Sequence, residues 1–167
     1  KKNIVITGGL GYIGTELCKI YSGVSWNNNI TVIDNRFVSE RVNQLRNWNI
    51  EFVQGDILDK DFILQQCKNA DTIHHLAGIT SVPRVKSESN NLLDENIKKV
   101  AEQGTQNIID AMNGNCKIIF PSTHVVFEGI DKVKNDILED EVLKPILSYS
   151  TSKAVNEKQL KDSGKNY

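Results

Sequence analysis

The stretch ITGGLGYIG, residues 6–14, decides how the rest of the chain is read. An apolar run, Ile4-Val5-Ile6, leads into it, and Tyr12-Ile13-Gly14-Thr15-Glu16-Leu17 leaves it as the first turns of a helix. Strand, glycine turn and helix in that order point backbone N–H groups and a helix N-terminus at one place, where a pyrophosphate can sit. Gly8 and Gly11 accept backbone angles closed to other residues and leave no side chain in a phosphate's way. Gly14 lets the helix pack close to the sheet. Glycine turns are common, so the fingerprint needs its context: a strand before, a helix after, and an acid about 20 residues on. Asp34, 20 residues past Gly14 at the end of Ile30-Thr31-Val32-Ile33, meets the last condition. The stretch is therefore read as a dinucleotide-binding turn.

The same alternation continues downstream. Strands are expected at residues 3–7, 30–33, 50–53, 71–76 and 117–120. Helices are expected at about 12–21, 60–67, 92–112 and 149–161, with a short one marked by Val38, Val42 and Leu45. Polar connections lie at 25–29, around Pro83 and over about 129–147. Strands separated by helices imply an α/β fold, a Rossmann-type doubly wound parallel sheet with right-handed crossovers. Ligands of such sheets sit at the carboxyl ends of the strands. Residues 8–11, Asp34, Asp56, Ala77 and Thr123 are therefore the ones to inspect.

A length of 167 residues fits one domain, and a hydrophobic fraction of 39% is enough for a packed core. A net charge of −1 argues against a surface built for nucleic acid or anionic lipid. Cys18, Cys67 and Cys116 are odd in number, far apart and without metal-like spacing, and read as reduced core thiols of a cytoplasmic protein. No metal site is expected. No apolar run approaches the length of a membrane span. The first strand starts too early to leave room for a signal peptide.

Asp34 suits the ribose hydroxyls of an adenosine and repels the extra phosphate of NADP, which favours NAD. Arg36 lies close enough to weaken that preference, since an arginine can take a 2′-phosphate. Asp56 is open to two readings: a helix N-cap or turn acid, or a hydrogen-bond acceptor for the adenine amine with the Ile57 backbone alongside. Tyr149 and Lys153 are four apart at the start of a helix, so their side chains share one face. A phenol is a poor base near neutral pH, and a neighbouring ammonium lowers its pKa. Such a pair can move a proton to or from a hydroxyl while a hydride moves to or from a nicotinamide. The spacing alone is common. Behind a glycine fingerprint, and after a strand ending in Ser122-Thr123, it reads as a reactive constellation. His124 reads as a surface residue, and His74 and His75 as hydrogen-bonded residues of a strand.

These marks together resemble the extended short-chain dehydrogenase/reductase family, in particular its NAD-dependent sugar-nucleotide epimerase/dehydratase branch. The resemblance covers nearly the whole chain. It rests on TGGLGYIG at 7–14, Asp34-Asn35, Gly55-Asp56-Ile57, HLAG at 75–78, PSTHVVFEG at 121–129 and YSTSK at 149–153. It implies that Gly8, Gly11, Tyr12, Ile13 and Gly14 line the pyrophosphate. Asp34 and Asn35 would hold the adenosine ribose, Asp56 and Ile57 the adenine, and Leu76, Ala77 and Gly78 the middle of the cofactor. Ser122 would face the nicotinamide. Thr123, Tyr149 and Lys153 would be the catalytic triad, with Tyr149 as acid/base and Lys153 also on the nicotinamide ribose. The implied substrate is a nucleotide sugar, most simply a UDP-sugar, and a homodimer is compatible with the resemblance.

Relatives that remove water carry an Asp-Glu pair after the catalytic threonine, and related decarboxylases keep a glutamate at the second place. Here His124 and Val125 stand there, and valine cannot transfer a proton. This leaves C4 epimerisation by transient oxidation, or plain reduction and oxidation of another substrate. A non-catalytic NAD-sensing domain is a further alternative, disfavoured by the intact triad. Two departures stand out. The family's Asn-x-x-Gly-Thr pattern is stretched, because Asn96 precedes Gly104-Thr105 by eight residues, five more than usual. Five residues turn a helix by about 140°. Either Asn96 keeps a cofactor-side role in a longer or bulged helix, or Ala101 takes that place. Phe127 stands where relatives often carry tyrosine. Relatives also continue into a C-terminal substrate domain, so residues 1–167 are expected to be the NAD-binding Rossmann domain of a longer protein, weakly active or inactive alone.

Overall fold

The computed structural model describes residues 1–80, 82–83 and 85–167. Five strands, β1 (Asn3–Thr7), β2 (Asn29–Asp34), β3 (Glu51–Gln54), β4 (Thr72–His75) and β5 (Lys117–Ile119), form one sheet in the order β3-β2-β1-β4-β5. Every pairing is parallel. Five helices connect or follow them: α1 (Tyr12–Ser22), α2 (Ser39–Asn47), α3 (Lys60–Cys67), α4 (Asn91–Ala111) and α5 (Ser148–Ser163). Short 3₁₀ turns at Ser25–Asn27, Lys86–Glu88 and His124–Phe127 lie in stretches the sequence pattern leaves as loops. A 3₁₀ turn has no apolar period long enough to announce it.

β1 is buried on both faces, as a central parallel strand must be. Its residues alternate between two cores. Ile4 and Ile6 join Leu10, Cys18, Ile30, Val32, Val42 and Leu45, which places α1 and α2 on one face. Val5 joins Ile33, Ile63, Cys67, Ile73, Ile108, Ile118 and Leu160, which places α3, α4 and α5 on the other. The three cysteines are free and buried, and burial pushes Cys18 and Cys67 up to about 12 and Cys116 to about 11. They are packing residues, as their scatter in the sequence predicts.

Helix ends follow their capping chemistry. The Asp59 carboxylate accepts from Phe62 N at 3.0 Å and starts α3. Asp56, read as a helix N-cap or turn acid, is the turn acid: it accepts from Leu58 N at 2.9 Å and shapes the turn before α3. Asn90 accepts from Leu93 N and starts α4. Gly164, at φ 64°, ends α5 in the left-handed conformation. Next to it Ile118 N donates to Asn166 O at 2.9 Å, so the last residues run beside β5. The strand order reverses between β1 and β4, and the site lies at the carboxyl ends around that point.

Candidate functional site

The turn after β1 is held mainly by backbone, with side chains meeting it at Leu10. Gly8 N donates to Ile33 O at 2.7 Å and Gly11 N to Gly8 O at 3.0 Å. Gly8 sits at φ +67°, and a Cβ there would lie 2.7 Å from Ala77 Cα and N. The turn therefore passes directly against the chain leaving β4. Gly11 is the N-cap of α1 and offers no side-chain cap to its first N–H groups. Tyr12 and Ile13, on that first turn, are 85% and 62% exposed, so an anion has open approach to the helix start. Gly14 does something different from the expected helix-to-sheet packing. Its Cβ would fall 2.5 Å from Gly9 Cα, so the helix packs on the turn itself. Gly9, not singled out from sequence, lies against Val32, where a Cβ would approach to 2.5 Å.

Asp34 is 5% exposed and its carboxylate is already employed. Oδ2 accepts from Leu10 N at 3.1 Å, and Oδ1 accepts from Arg36 N at 3.0 Å and Arg36 Nε at 3.4 Å. Asp34 thus fastens the end of β2 to the glycine turn, a task the sequence reading missed. A carboxylate has about four lone-pair sites, so one remains for a ribose hydroxyl. The Arg36 side chain, 62% exposed, leans on Asp34 and draws some of its charge. Asn35 is exposed beside it, its carbonyl accepting from Gln54 Nε2. Asp56 is half-buried and Ile57 is buried. The Ile57 carbonyl accepts from Asn107 Nδ2 at 2.9 Å, and Gly104 makes room for its side chain.

Leu76 and Ala77 are half-buried and Gly78 is exposed, at the mouth of β4. Their placement depends on a buried polar relay with no counterpart in the sequence reading. Leu76 N donates to Thr7 O at 3.1 Å and Ala77 N to Thr7 Oγ1 at 3.2 Å. His75 Nδ1 lies 2.8 Å from Thr7 Oγ1, and His75 Nε2 lies 3.0 Å from Thr105 Oγ1. A neutral imidazole donates through one nitrogen and accepts through the other, and the two threonine hydroxyls satisfy both. Burial, then the positive charge of Lys153, pushes His75 down to about 3, so the ring is neutral. His74 pairs with Tyr21 OH at 2.8 Å. Both histidines are hydrogen-bonded strand residues, as expected.

Gly104 and Thr105 face inward, and α4 is one unbroken α-helix of 21 residues. There is no bulge to bring Asn96 back to the inner face. Asn96 is exposed, while Ala101, three residues before Gly104, is half-buried with its carbonyl accepting from Asn156. Of the two expectations for that position, the register therefore favours Ala101 over Asn96, and an alanine offers no hydrogen bond.

Beyond β5, Lys153 Nζ donates to Pro121 O at 3.0 Å and lies 4.3 Å from the centre of the Phe120 ring. It is 5.8 Å from the centre of the Tyr149 ring. Burial, partly offset by Glu157, pulls the Lys153 ammonium down to about 8, so it is mostly charged at neutral pH. The Tyr149 phenol is half-buried, and burial raises its pKa. This reverses the lowering expected from the lysine four residues on. The ammonium is turned to a carbonyl and a ring face, and desolvation of the phenolate outweighs its pull. Thr123 caps the 3₁₀ turn His124–Phe127, its Oγ1 accepting from Val125 N at 3.4 Å. That leaves its hydroxyl hydrogen available to a ligand. Ser122 is exposed and donates to Glu157 on α5 rather than standing free. His124 is exposed, as read from sequence. Among the described residues, no group of three or more His, Cys, Asp or Glu could hold a metal, and no helix is long and apolar enough to cross a membrane.

The 3-beta hydroxysteroid dehydrogenase/isomerase family matches residues 5–166. A UDP-N-acetyl-alpha-D-glucosaminuronate decarboxylase of Bacillus cytotoxicus is 32% identical over 129 residues, covering 76% of this chain and 38% of the relative. UDP-glucose 4-epimerase 3 of rice is 29% identical over 170 residues, covering 93% and 43%. The UDP-glucose 4-epimerase of Brucella ovis, solved in complex with NAD, superposes with a TM-score of 0.79 at 25% identity, over 97% of this chain and 47% of that one. The chain thus spans less than half the length of each of these relatives.

Proposed function

The chain belongs to the 3-beta hydroxysteroid dehydrogenase/isomerase family, within the extended short-chain dehydrogenases/reductases, and on that premise we propose that residues 1–167 are the NAD-binding domain of a nucleotide-sugar 4-epimerase acting on a UDP-sugar. The observation that carries the reading is the shared placement of two parts. A glycine turn whose helix start is uncapped and a Tyr149–Lys153 pair both lie at the carboxyl ends of one parallel sheet.

The residues fit NAD. The contact between Gly8 and Ala77 keeps a side chain out of the turn, α1 presents N–H groups, and Asp34 retains a lone pair for a ribose hydroxyl. When bound, NAD would supply the hydride acceptor and donor for the sugar carbon. The chain's own residues manage the proton. Tyr149, held protonated by burial, gives its proton to a ketone oxygen as the sugar is reduced. In the opposite sense the phenolate left by that step takes the hydroxyl proton back, and the Lys153 ammonium, 5.8 Å from the ring centre, offsets part of its desolvation. The Thr123 hydroxyl donates to the same substrate oxygen and holds it in register with the phenol. Gly8, Gly11, Tyr12, Ile13 and Gly14 would hold the pyrophosphate, Asn35, Asp56 and Ile57 the adenosine, and Leu76, Ala77, Gly78 and Ser122 the cofactor's other half.

Similarity to a decarboxylase does not bring decarboxylase chemistry, because the position two beyond Thr123 is Val125. The test is titration calorimetry with NAD, followed by a coupled assay with UDP-sugars in the protein as its gene encodes it. Binding of NAD with turnover that consumes no net cofactor supports an epimerase. Stoichiometric NAD reduction would instead indicate a dehydrogenase of the same fold.

A further inference from the structure

Tyr149 sits between two serine hydroxyls, and each is tied by a carboxylate to a different part of the fold. Ser148 Oγ donates to Asp94 on α4, and Ser150 Oγ to Glu128, which follows the turn that Thr123 caps. Glu128 does more than meet Ser150. The same oxygen, Oε1, accepts from Ile146 N at 2.7 Å and Leu147 N at 2.8 Å. Leu147 is the N-cap of α5 and has no side-chain oxygen to offer. A carboxylate 19 residues earlier therefore supplies the negative charge that a helix start favours. Desolvation raises Glu128, but its hydrogen bonds from Ser150, Leu147 and Ile146 together outweigh it and hold the carboxyl below the ordinary range.

Two backbone bonds brace the same junction. Gly129 N donates to Lys144 O at 2.8 Å, and Lys144 N to Val126 O at 2.8 Å. The approach is close enough that a Cβ on Gly129 would fall 2.5 Å from Lys144 O. The polar excursion between them is pinched at its base, so the Thr123 turn and the first turn of α5 form one joint.

We infer that Glu128 is a positioning residue. By gripping Ile146, Leu147 and Ser150 it fixes the Tyr149 phenol relative to the Thr123 hydroxyl, so that both meet one substrate oxygen. The inference rests on the function proposed above. Glu128 acts in this reading through Ile146, Leu147 and Ser150 and not as a reacting group.

The test compares E128A and E128Q with the wild type in the protein as its gene encodes it. Kinetics with a UDP-sugar are read alongside hydrogen exchange at the Ile146 and Leu147 amides. Small displacements of reacting groups cost up to about a hundredfold in rate, and E128A is expected to lose about tenfold in kcat with KM within about twofold. E128Q keeps a carbonyl acceptor in the same place and is expected to recover most of the rate and of the amide protection. An active wild type with unchanged kcat in E128A overturns the inference. So does a loss confined to KM, or amide exchange that does not quicken in E128A. A wild type that neither binds NAD nor turns over a nucleotide sugar removes the functional reading instead, which separates the two failures.

Discussion

At the carboxyl end of β1, residues 8–14 hold their shape through backbone hydrogen bonds and three glycines that leave no room for a Cβ. At the carboxyl end of β5, Thr123, Tyr149 and Lys153 hold theirs through side chains that reach far along the chain: Asp94 to Ser148, Glu128 to Ser150, Lys153 to the Pro121 carbonyl. The first region is steric and braced mainly by backbone, the second polar and braced by side chains. The two should break in different ways. A change in the turn should act on folding and binding together, because glycine conformation serves both. A change in the reactive helix should separate chemistry from binding.

The largest effect should come from Tyr149→Phe. Positioned acid–base groups contribute about 10²- to 10⁴-fold, so turnover should fall by that order while calorimetric NAD affinity stays within a few-fold. Activity close to wild type would remove Tyr149 from the proton path. On the other side of the comparison, Gly8→Ala must adopt φ +67° and push against the Ala77 backbone. Strain and overpacking together should cost about 4 kcal/mol in denaturant unfolding, and NAD binding should be lost with it. An alanine variant as stable as the parent would show that the turn can rearrange.

The relay through His75 runs from Thr7, beside the glycine turn, to Thr105 on α4, and pH tests it. Its folded pKa, about 3, lies below the ordinary value of 6.5. The unfolded chain therefore binds the extra proton between those values. The stabilisation is fully present above pH 6.5 and is lost as pH falls toward 3, at about 1.4 kcal/mol per pH unit in that window. His75→Gln should flatten that slope, even if it lowers stability at neutral pH. An unchanged slope would mean that the acid sensitivity arises elsewhere.

The smallest effect concerns Ser152. Its hydroxyl is the buried side-chain polar atom among the described residues that has no hydrogen-bond partner. An unpaired buried hydroxyl costs about 1–3 kcal/mol, so Ser152→Ala should raise stability by about 1 kcal/mol without altering NAD affinity. A destabilised variant would show that the hydroxyl has a partner, such as bound water.

Much of the fold is legible in the sequence, because a parallel sheet buried on both faces writes itself as apolar runs separated by helical periods. The glycine turn, the order of elements and the hydrogen-bonded strand histidines all follow from such local signals. The Asn96 position was less tractable. Its distance from Gly104 signals a change of register, but only the unbroken α4 shows which residue faces inward. Asp34 is legible as an acid after β2, yet not as the residue that ties β2 to Leu10. The raised pKa of Tyr149 also runs against the reading from spacing, because i,i+4 placement says nothing about where an ammonium points or how much water surrounds a phenol.

By itself the sequence determined the sheet, the backbone cradle and which residue types carry the chemistry, since strand runs, glycine conformations and helical spacing are properties of neighbouring residues. The tertiary structure alone decided how the reactive groups are aimed and charged. Burial of Tyr149, Lys153 and His75, and the grip of Glu128 on the start of α5, come from residues brought together across dozens of positions. Solvation and hydrogen-bond geometry depend on that meeting, and no stretch of neighbouring residues encodes it.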